Sequence, residues 1–494
     1  MKRILALICF LTCAGCSSFL DEDTQGQIVG DDALKTVQGL DAALTGAYKG
    51  LLRTWSRGFL TNGALQGSTA GGDDITTLSG GNKEKWRELD RFELNDQNPH
   101  IAQIWDGCYK TIQGANNVIE NAHMTVGDQG TIDKIVGEAY FLRGLCYYWL
   151  VRCFGKVPLI TSAKLSDANL DEMLTVSKSE ITAIYAQVEN DLINAEQLLG
   201  DAKRDPGRPN RGSAKGLLAD VYLTQGGWPV NDASKYALAE VKAKEVIDNK
   251  DAYGFDLVAD LTTLWPGAAY SIGTKEEVMA FHTSANFGGS VNAFWGDSGR
   301  PYELFGWEDY FAEISFFNNF PEGKRKDATF LTEWPNMRVE GNPIVQWPNT
   351  AAKHPYYKKF TLVNHNWASG MPVHMMRYAH VLLIYAEAQA RANGTPNTEA
   401  YAAINAVRER AGLLPLEGLP DGDFPKAVID ERAGEFAGEW TRWFDLVRME
   451  MVEEANANKH PDDLQPVGEI TKDDYLFPVP ARDASINPGL NGGD

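Results

Sequence analysis

The stretch IDKIVGEAYFLRGLCYYWLVRCFGKVPLI (132–160) constrains the fold more than any other part of the chain. Ile135, Ala139, Leu142, Leu145, Cys146 and Trp149 fall at three- and four-residue steps, the spacing of an apolar stripe along a helix. Gly155 and Pro158 predict its end. ITAIYAQVENDLINAEQLLG and RGSAKGLLADVYLTQGGWP continue the series, and DASKYALAEVKAKEVIDNK follows with Asp232 placed to cap it. Beyond His374 the pattern returns. MRYAHVLLIYAEAQARANGTP and TEAYAAINAVRERAGL read as a helical hairpin, and PKAVIDERAGEFAGEWTRWFDLVRMEM comes next. Small residues in such pairs let two helices approach closely, as in tetratricopeptide-type hairpins.

Between these halves the texture changes. From about Tyr253 to Pro372, Gly, Pro and Asn multiply and helical periodicity fades. Six of the thirteen tryptophans fall here: Trp265, Trp295, Trp307, Trp334, Trp347 and Trp367. Long irregular segments inside a compact protein tend to be functional. The expected fold is therefore mainly α, a tetratricopeptide-like helical hairpin scaffold carrying one large loop-rich insertion. Residues 31–494 are read as one domain, with an N-terminal scaffold (31–252), an insertion (253–372) and C-terminal hairpins (373–494).

The front of the chain reads as an export signal. Lys2 and Arg3 precede an apolar and small-residue run from Ile4 to Thr12, too short to span a bilayer as a helix, and LTCAGC follows. Residues 1–15 are the expected signal peptide and 16–30 a tether. Cys16 stands where a lipid-transferring enzyme needs a thiol, so it resembles the acylated first residue of a bacterial lipoprotein. Several acyl chains on one residue hold a protein to a membrane where a single chain does not. The formal charge is -21; such an acidic surface repels nucleic-acid phosphates, so nucleic acid is excluded as a partner. Cys108, Cys146 and Cys153 form no C-x-x-C pair and read as small core residues.

Signatures of catalysis are missing. The sequence holds no H-E-x-x-H, no G-x-x-x-x-G-K-S/T, no G-x-S-x-G and no EF-hand loop. Asp73 and Asp74 supply two oxygens, well short of the 6–8 that calcium takes. No cofactor is assigned, and a structural calcium ion is left open. Glu431, Glu435, Glu439 and Asp445 lie on one predicted helix or its continuation. Glu439, Arg442, Asp445 and Arg448 alternate in sign at three-residue steps. Cationic neighbours lower a carboxyl pKa, the opposite of what a general acid requires. This reads as a structural ladder, so no catalytic residue is assigned.

The late segments, with the terminal YLFPVPARDASINPGLNGGD, resemble the C-terminal motifs of the SusD/RagB family. EAYFLRGLCYYWLVRCFGKVPLI, GSAKGLLADVYL and the SSFLDED after Cys16 resemble its N-terminal half in the same order. Two positions depart: His380 stands where the family has an acid, and Trp440 where it has glycine. The resemblance implies a non-enzymatic lipoprotein of the outer membrane and cell surface. It implies capture of oligosaccharide, or in some members peptide, and delivery to a SusC-like TonB-dependent transporter. Cys16 would be the lipid anchor, with Asp21, Glu22 and Asp23 as an acidic export tag. The alternatives are a peptide-binding or purely protein-interacting helical scaffold and, third, a glycoside hydrolase.

The residues point the same way. A sugar ring offers an apolar C–H face and a rim of hydroxyls, which a flat indole and neighbouring Asn, Asp and Arg can match. The expected contacts are Trp86 and Trp295, then Trp347 and Tyr302, with Asn292, Asp297 and Arg300 as polar partners. Trp105, Trp149 and Trp443 follow helical stripes and are expected in the core. Trp307, in FGWEDYFAEI, reads as helical packing.

Overall fold

A computed structural model describes residues 30–51, 59–163, 175–265, 273–282, 295–361 and 372–491. Cys16, the predicted signal segment, Asn292 and Trp367 lie outside these residues. The N-terminal half is a run of antiparallel helices: α1 (Val37–Leu51), α2 (Pro99–Asn121), α3 (Gln129–Phe154), α4 (Ile181–Leu198), α5 (Arg211–Gln225) and α6 (Lys235–Asp248). Each packs on the next in sequence. Asn98, Asp128 and Asn210 begin α2, α3 and α5 by accepting backbone N–H bonds through their side chains. The carboxylate of Asp232 bonds Ser234 N–H at 3.0 Å, one residue ahead of α6, so it orders the approach to that helix.

The expected stripe on α3 is buried, and so is nearly everything around it: Phe141 through Val151 have no exposed residue. The helix is central, with α2 and α4 on two sides and Phe444 meeting Trp149 edge-on at 5.1 Å on another. Small residues set the approach of α4, since a Cβ on Gly144 would come within 3.1 Å of the Leu192 side chain. Arg143, buried in the same face, donates to both oxygens of Asp191 at 2.9 and 2.7 Å and to Asn116. A buried cation persists there because its donors are met. Cys108, Cys146 and Cys153 are buried free thiols.

The helical array resumes after the insertion. α7 (Tyr378–Asn393) packs on α6, and α8 (Thr398–Arg410) and α9 (Asp423–Glu435) pack on α7; α10 (Arg442–Arg448) follows. The insertion thus leaves and re-enters a continuous scaffold. The described strands form antiparallel pairs, two of them joining the insertion to the rest of the chain: β1 (Ile75–Thr76) with β3 (Phe311–Ala312), β2 (Glu277–Phe281) with β8 (Val373–Arg377), β4 (Phe330–Leu331) with β7 (Tyr356–Tyr357), and β5 (Glu333–Pro335) with β6 (Ile344–Gln346). The β2–β8 pair closes the root, with Glu277 opposite Arg377 and Phe281 opposite Val373. FGWEDYFAEI is not helical over Trp307: Phe311 pairs across to Thr76 and packs on His354 and Tyr356. Long-range pairing overrides the local pattern there.

A buried ion network pins the insertion to the scaffold. Arg377, fully buried, donates to Glu276 at 2.6 Å, Glu435 at 2.8 Å and Glu439 at 2.9 Å. Lys359 reaches Glu439 at 2.6 Å, Arg410 bonds Glu276 and Glu435, and Arg325 bonds Glu431. The expected ladder is only partly local. Asp445 does pair with Arg448, but Glu439 turns to Arg377 and Lys359, and Arg442 reaches back to Asp73 at 2.6 Å. Burial opposes ionisation of Glu439 and Asp445, yet the surrounding cations hold both carboxyls below the usual range. They are structural counter-ions, as the charge pattern suggests.

Candidate functional site

The expected contacts separate in space. Trp86 is buried, 1% exposed, stacked on Tyr310 at 5.6 Å and edge-on to His100 at 4.9 Å. It fills the core and presents no face to a ligand, a correction to the sequence reading: Gly80, Gly81, Asn82 and Glu84 are exposed, but Lys83 turns in to Asp309 and the indole closes the helix Glu84–Asp90 onto the insertion. Asp297 and Arg300 are buried too and lie 3.7 Å apart as an ion pair, so they brace the backbone instead of lining an open surface. Trp295 opens the one-turn helix Trp295–Ser298, and its side chain lies outside the described atoms. Trp347 is half-buried, edge-on to Phe317 at 5.7 Å. Among those whose side chains are described, Tyr302 alone is well exposed, at 51%.

Tyr302 belongs to a built surface. Residues 301–309 fold back on themselves: Gly306 N–H donates to Pro301 at 2.9 Å, Trp307 N–H to Asp297 at 2.7 Å and Asp309 N–H to Ser298 at 2.8 Å. Gly306 is required at this approach, because a Cβ would lie 2.0 Å from the Arg300 carbonyl oxygen. Phe305 takes a left-handed backbone, φ +63, which costs a non-glycine residue about 1–2 kcal/mol. The outcome is that Phe305, 37% exposed, stands beside Tyr302. Arg338, from the loop between β5 and β6, lies over both rings, 3.7 Å from the Tyr302 centroid and 4.7 Å from that of Phe305. Its Nε donates to the Tyr302 carbonyl at 2.6 Å. The same loop exposes Met337 and Val339.

Beneath this platform sits a small separate core of Phe311, Trp334, Ala352 and Tyr356. Two buried carboxylates join it to the surface. Glu303 accepts the Trp334 indole N–H at 3.1 Å, and Glu308 accepts both the Tyr356 hydroxyl at 2.6 Å and the Tyr302 N–H at 3.1 Å. Burial, with Glu308 alongside, pushes the Tyr356 hydroxyl well above its ordinary range, so it stays a donor. The Tyr302 backbone is thus held from below, while both rings stay part-exposed with Arg338 across them.

Sequence reasoning missed Phe305 and Arg338. Phe305 stands in GRPYELFGW, the densest aromatic stretch, but one-dimensional spacing does not show a left-handed turn. Arg338 is brought over the rings only by the β5–β6 hairpin. A hollow of about 950 Å3 lies elsewhere, near Phe92, Trp228, Phe477 and Lys472, and none of the expected contacts lines it. Among the described residues no cluster of His, Cys, Asp and Glu has the makings of a metal site, and no helix is long and apolar enough to cross a membrane.

Comparison with known proteins fits this architecture. A family model described as the SusD family matches residues 274–492, and one described as starch-binding, associating with the outer membrane, matches 19–223. SusD-like protein P2 of Formosa agariphila is 29% identical over 517 aligned residues, covering 99% of this chain and 98% of that protein. A crystal structure of a SusD superfamily protein from Parabacteroides distasonis superposes with a TM-score of 0.78 at 24% identity, over 94% of this chain and 99% of the other. A structure named as a laminarin binding SusD-like protein gives 0.73 at 23%, over 91% and 97%. At such identities the structural likeness speaks for the fold. With the two sequence models dividing most of the chain between them, and a helical scaffold continuous across a large insertion, this protein belongs to the SusD family.

Proposed function

We propose that this protein captures oligosaccharide at the cell surface on the Tyr302–Phe305–Arg338 platform and passes it, without chemistry, to a SusC-like TonB-dependent transporter. The observation that carries the proposal is the platform itself, two part-exposed rings with a guanidinium across them on a braced base. A pyranose laid on such rings buries its C–H face for about 1 kcal/mol or more per contact. The terminal nitrogens of Arg338, with no carboxylate within ion-pair distance among the described residues, are free to meet hydroxyls. Trp347, packed against the small core beneath the platform, would extend the surface at its margin. Lipid on Cys16 would tether the protein to the outer membrane, which fits the description of the family model matching 19–223. A glycan-binding relative of the same fold, the laminarin-binding protein, supports the ligand class.

The test is affinity electrophoresis of the purified protein through gels cast with laminarin, xyloglucan, starch and other neutral polysaccharides. At least one should retard the wild type and release no reducing ends. Tyr302→Ala with Phe305→Ala should abolish the retardation. Retardation that survives this double change would remove the platform from the proposal, and sugar release would make the protein an enzyme.

A further inference from the structure

A small cavity of about 50 Å3 lies within the helical array, bordered by α3, α5, α7, α9 and α10. It is far from the aromatic platform in sequence and shares no residue with it. Three lining nitrogens have no hydrogen-bond partner: Nη1 of Arg432, Nε2 of His380 and Nε of Arg152. Arg432 and His380 are each 4% exposed. The histidine tautomer follows from its other nitrogen. Nδ1 accepts the Arg377 backbone N–H at 3.0 Å, so Nε2 of the neutral ring carries the hydrogen. All three unmet groups are therefore donors.

Three of the four lining carboxylate oxygens are engaged. Asp445 takes Arg432 Nε at 2.8 Å on one oxygen and Arg448 Nε at 3.0 Å on the other. Asp220 accepts the Tyr148 hydroxyl at 2.8 Å. Arg152 lies over the rings of Tyr148 and Phe444, at 3.8 and 4.1 Å, with no carboxylate in ion-pair distance among the described residues. Charge follows the same sense. Arg152, Arg432 and Arg448 face the cavity against Asp220 and Asp445, an excess of one positive charge. Following the pairs outward adds Glu387 and Arg391, which cancel.

A buried donor without an acceptor is destabilising, more so when charged. A water accepts from at most two of the three donors and brings no charge to a lining with one positive charge in excess, whereas an anion meets both needs. We infer that this cavity binds a monovalent anion of halide size, held by the N–H groups of His380, Arg432 and Arg152. A carboxylate at position 380 would bring negative charge covalently, where His380 supplies a donor.

Crystals grown in sodium bromide should show an anomalous bromine peak in the cavity. The unfolding midpoint should be a few degrees higher in sodium chloride or bromide than in sodium gluconate of equal ionic strength, because only the small anion binds the native state. His380→Glu should lose both the peak and the halide response; His380→Leu, which removes the donor without adding charge, should weaken the response. A cavity holding only water in the bromide crystals, or a midpoint indifferent to the anion, overturns the inference without any variant having to fold. A halide response undiminished in His380→Glu overturns it as well.

Discussion

Arg377 and Arg338, 39 residues apart in sequence, have opposite surroundings. Arg377, at its root, is wholly buried and saturated by Glu276, Glu435 and Glu439. Arg338, at its surface, lies across two exposed rings and spends one N–H on a carbonyl. The aromatic residues divide in the same way: Trp86 and Trp334 are sealed in, while Tyr302 and Phe305 face out. Residue type therefore says little about role in this protein. What separates a fastening from a contact surface is whether the tertiary structure supplies the partners or leaves them to a ligand.

The largest expected effect tests the fastening. Arg377→Ala leaves buried carboxylates without their counter-ion and should lower unfolding free energy by about 3–5 kcal/mol in urea titration. A loss under about 1 kcal/mol would show that the root does not depend on this network. Trp86→Ala should fall in the same range, about 3–5 kcal/mol, as a large aromatic vacates the core. Its folded fraction should retain polysaccharide as the wild type does; selective loss of retention would return Trp86 to the binding surface.

Acid–base behaviour gives an intermediate effect with opposed signs. Asp74 is buried and beside Asp73, which pushes its carboxyl up to about 7. The native state then holds a proton that the unfolded chain releases, so stability falls as pH rises from about 4 to about 7. Glu435, Glu439 and Asp445 are shifted down, so their contribution is present above the unfolded carboxyl range and is lost on further acidification. The midpoint should accordingly peak near pH 5. Asp74→Asn keeps an acceptor for the Gly438 N–H, 3.0 Å away, and should gain about 1–3 kcal/mol at pH 8 while flattening the slope between pH 4 and 7. An unchanged slope would mean that Asp74 ionises normally.

The smallest stability effect belongs to the platform. Tyr302→Ala and Arg338→Ala should each alter unfolding free energy by no more than about 0.5 kcal/mol, the range of ordinary surface changes, yet weaken glycan retention. A large thermal loss in either would make the platform a fastening too, and the contrast with Arg377 would collapse.

Much of the scaffold was legible in the sequence. Three- and four-residue spacing marked α3, caps such as Asp128 and stops such as Gly155 bounded it, and the helical pattern resumed where α7 begins. The alternating charges of the late helices were legible as structural, though their partners were not: Glu439 finds Arg377, 62 residues away, in place of its neighbour Arg442. The candidate site was scarcely legible. Tyr302 was among the expected residues, but Trp86 was expected beside it and lies in the core. Periodicity has no hold on a segment whose ring directions depend on a left-handed residue and a crossing hairpin.

The sequence by itself determined which segments become helices and that an irregular, tryptophan-rich segment interrupts them, because helix formation is written in local spacing and caps. Only the tertiary structure decided which rings and guanidinium groups meet solvent. Burial depends on what arrives from distant parts of the chain: Tyr310 to cover Trp86, Glu435 and Glu439 to enclose Arg377, and Arg338 to cross Tyr302 and Phe305, which stay part-exposed.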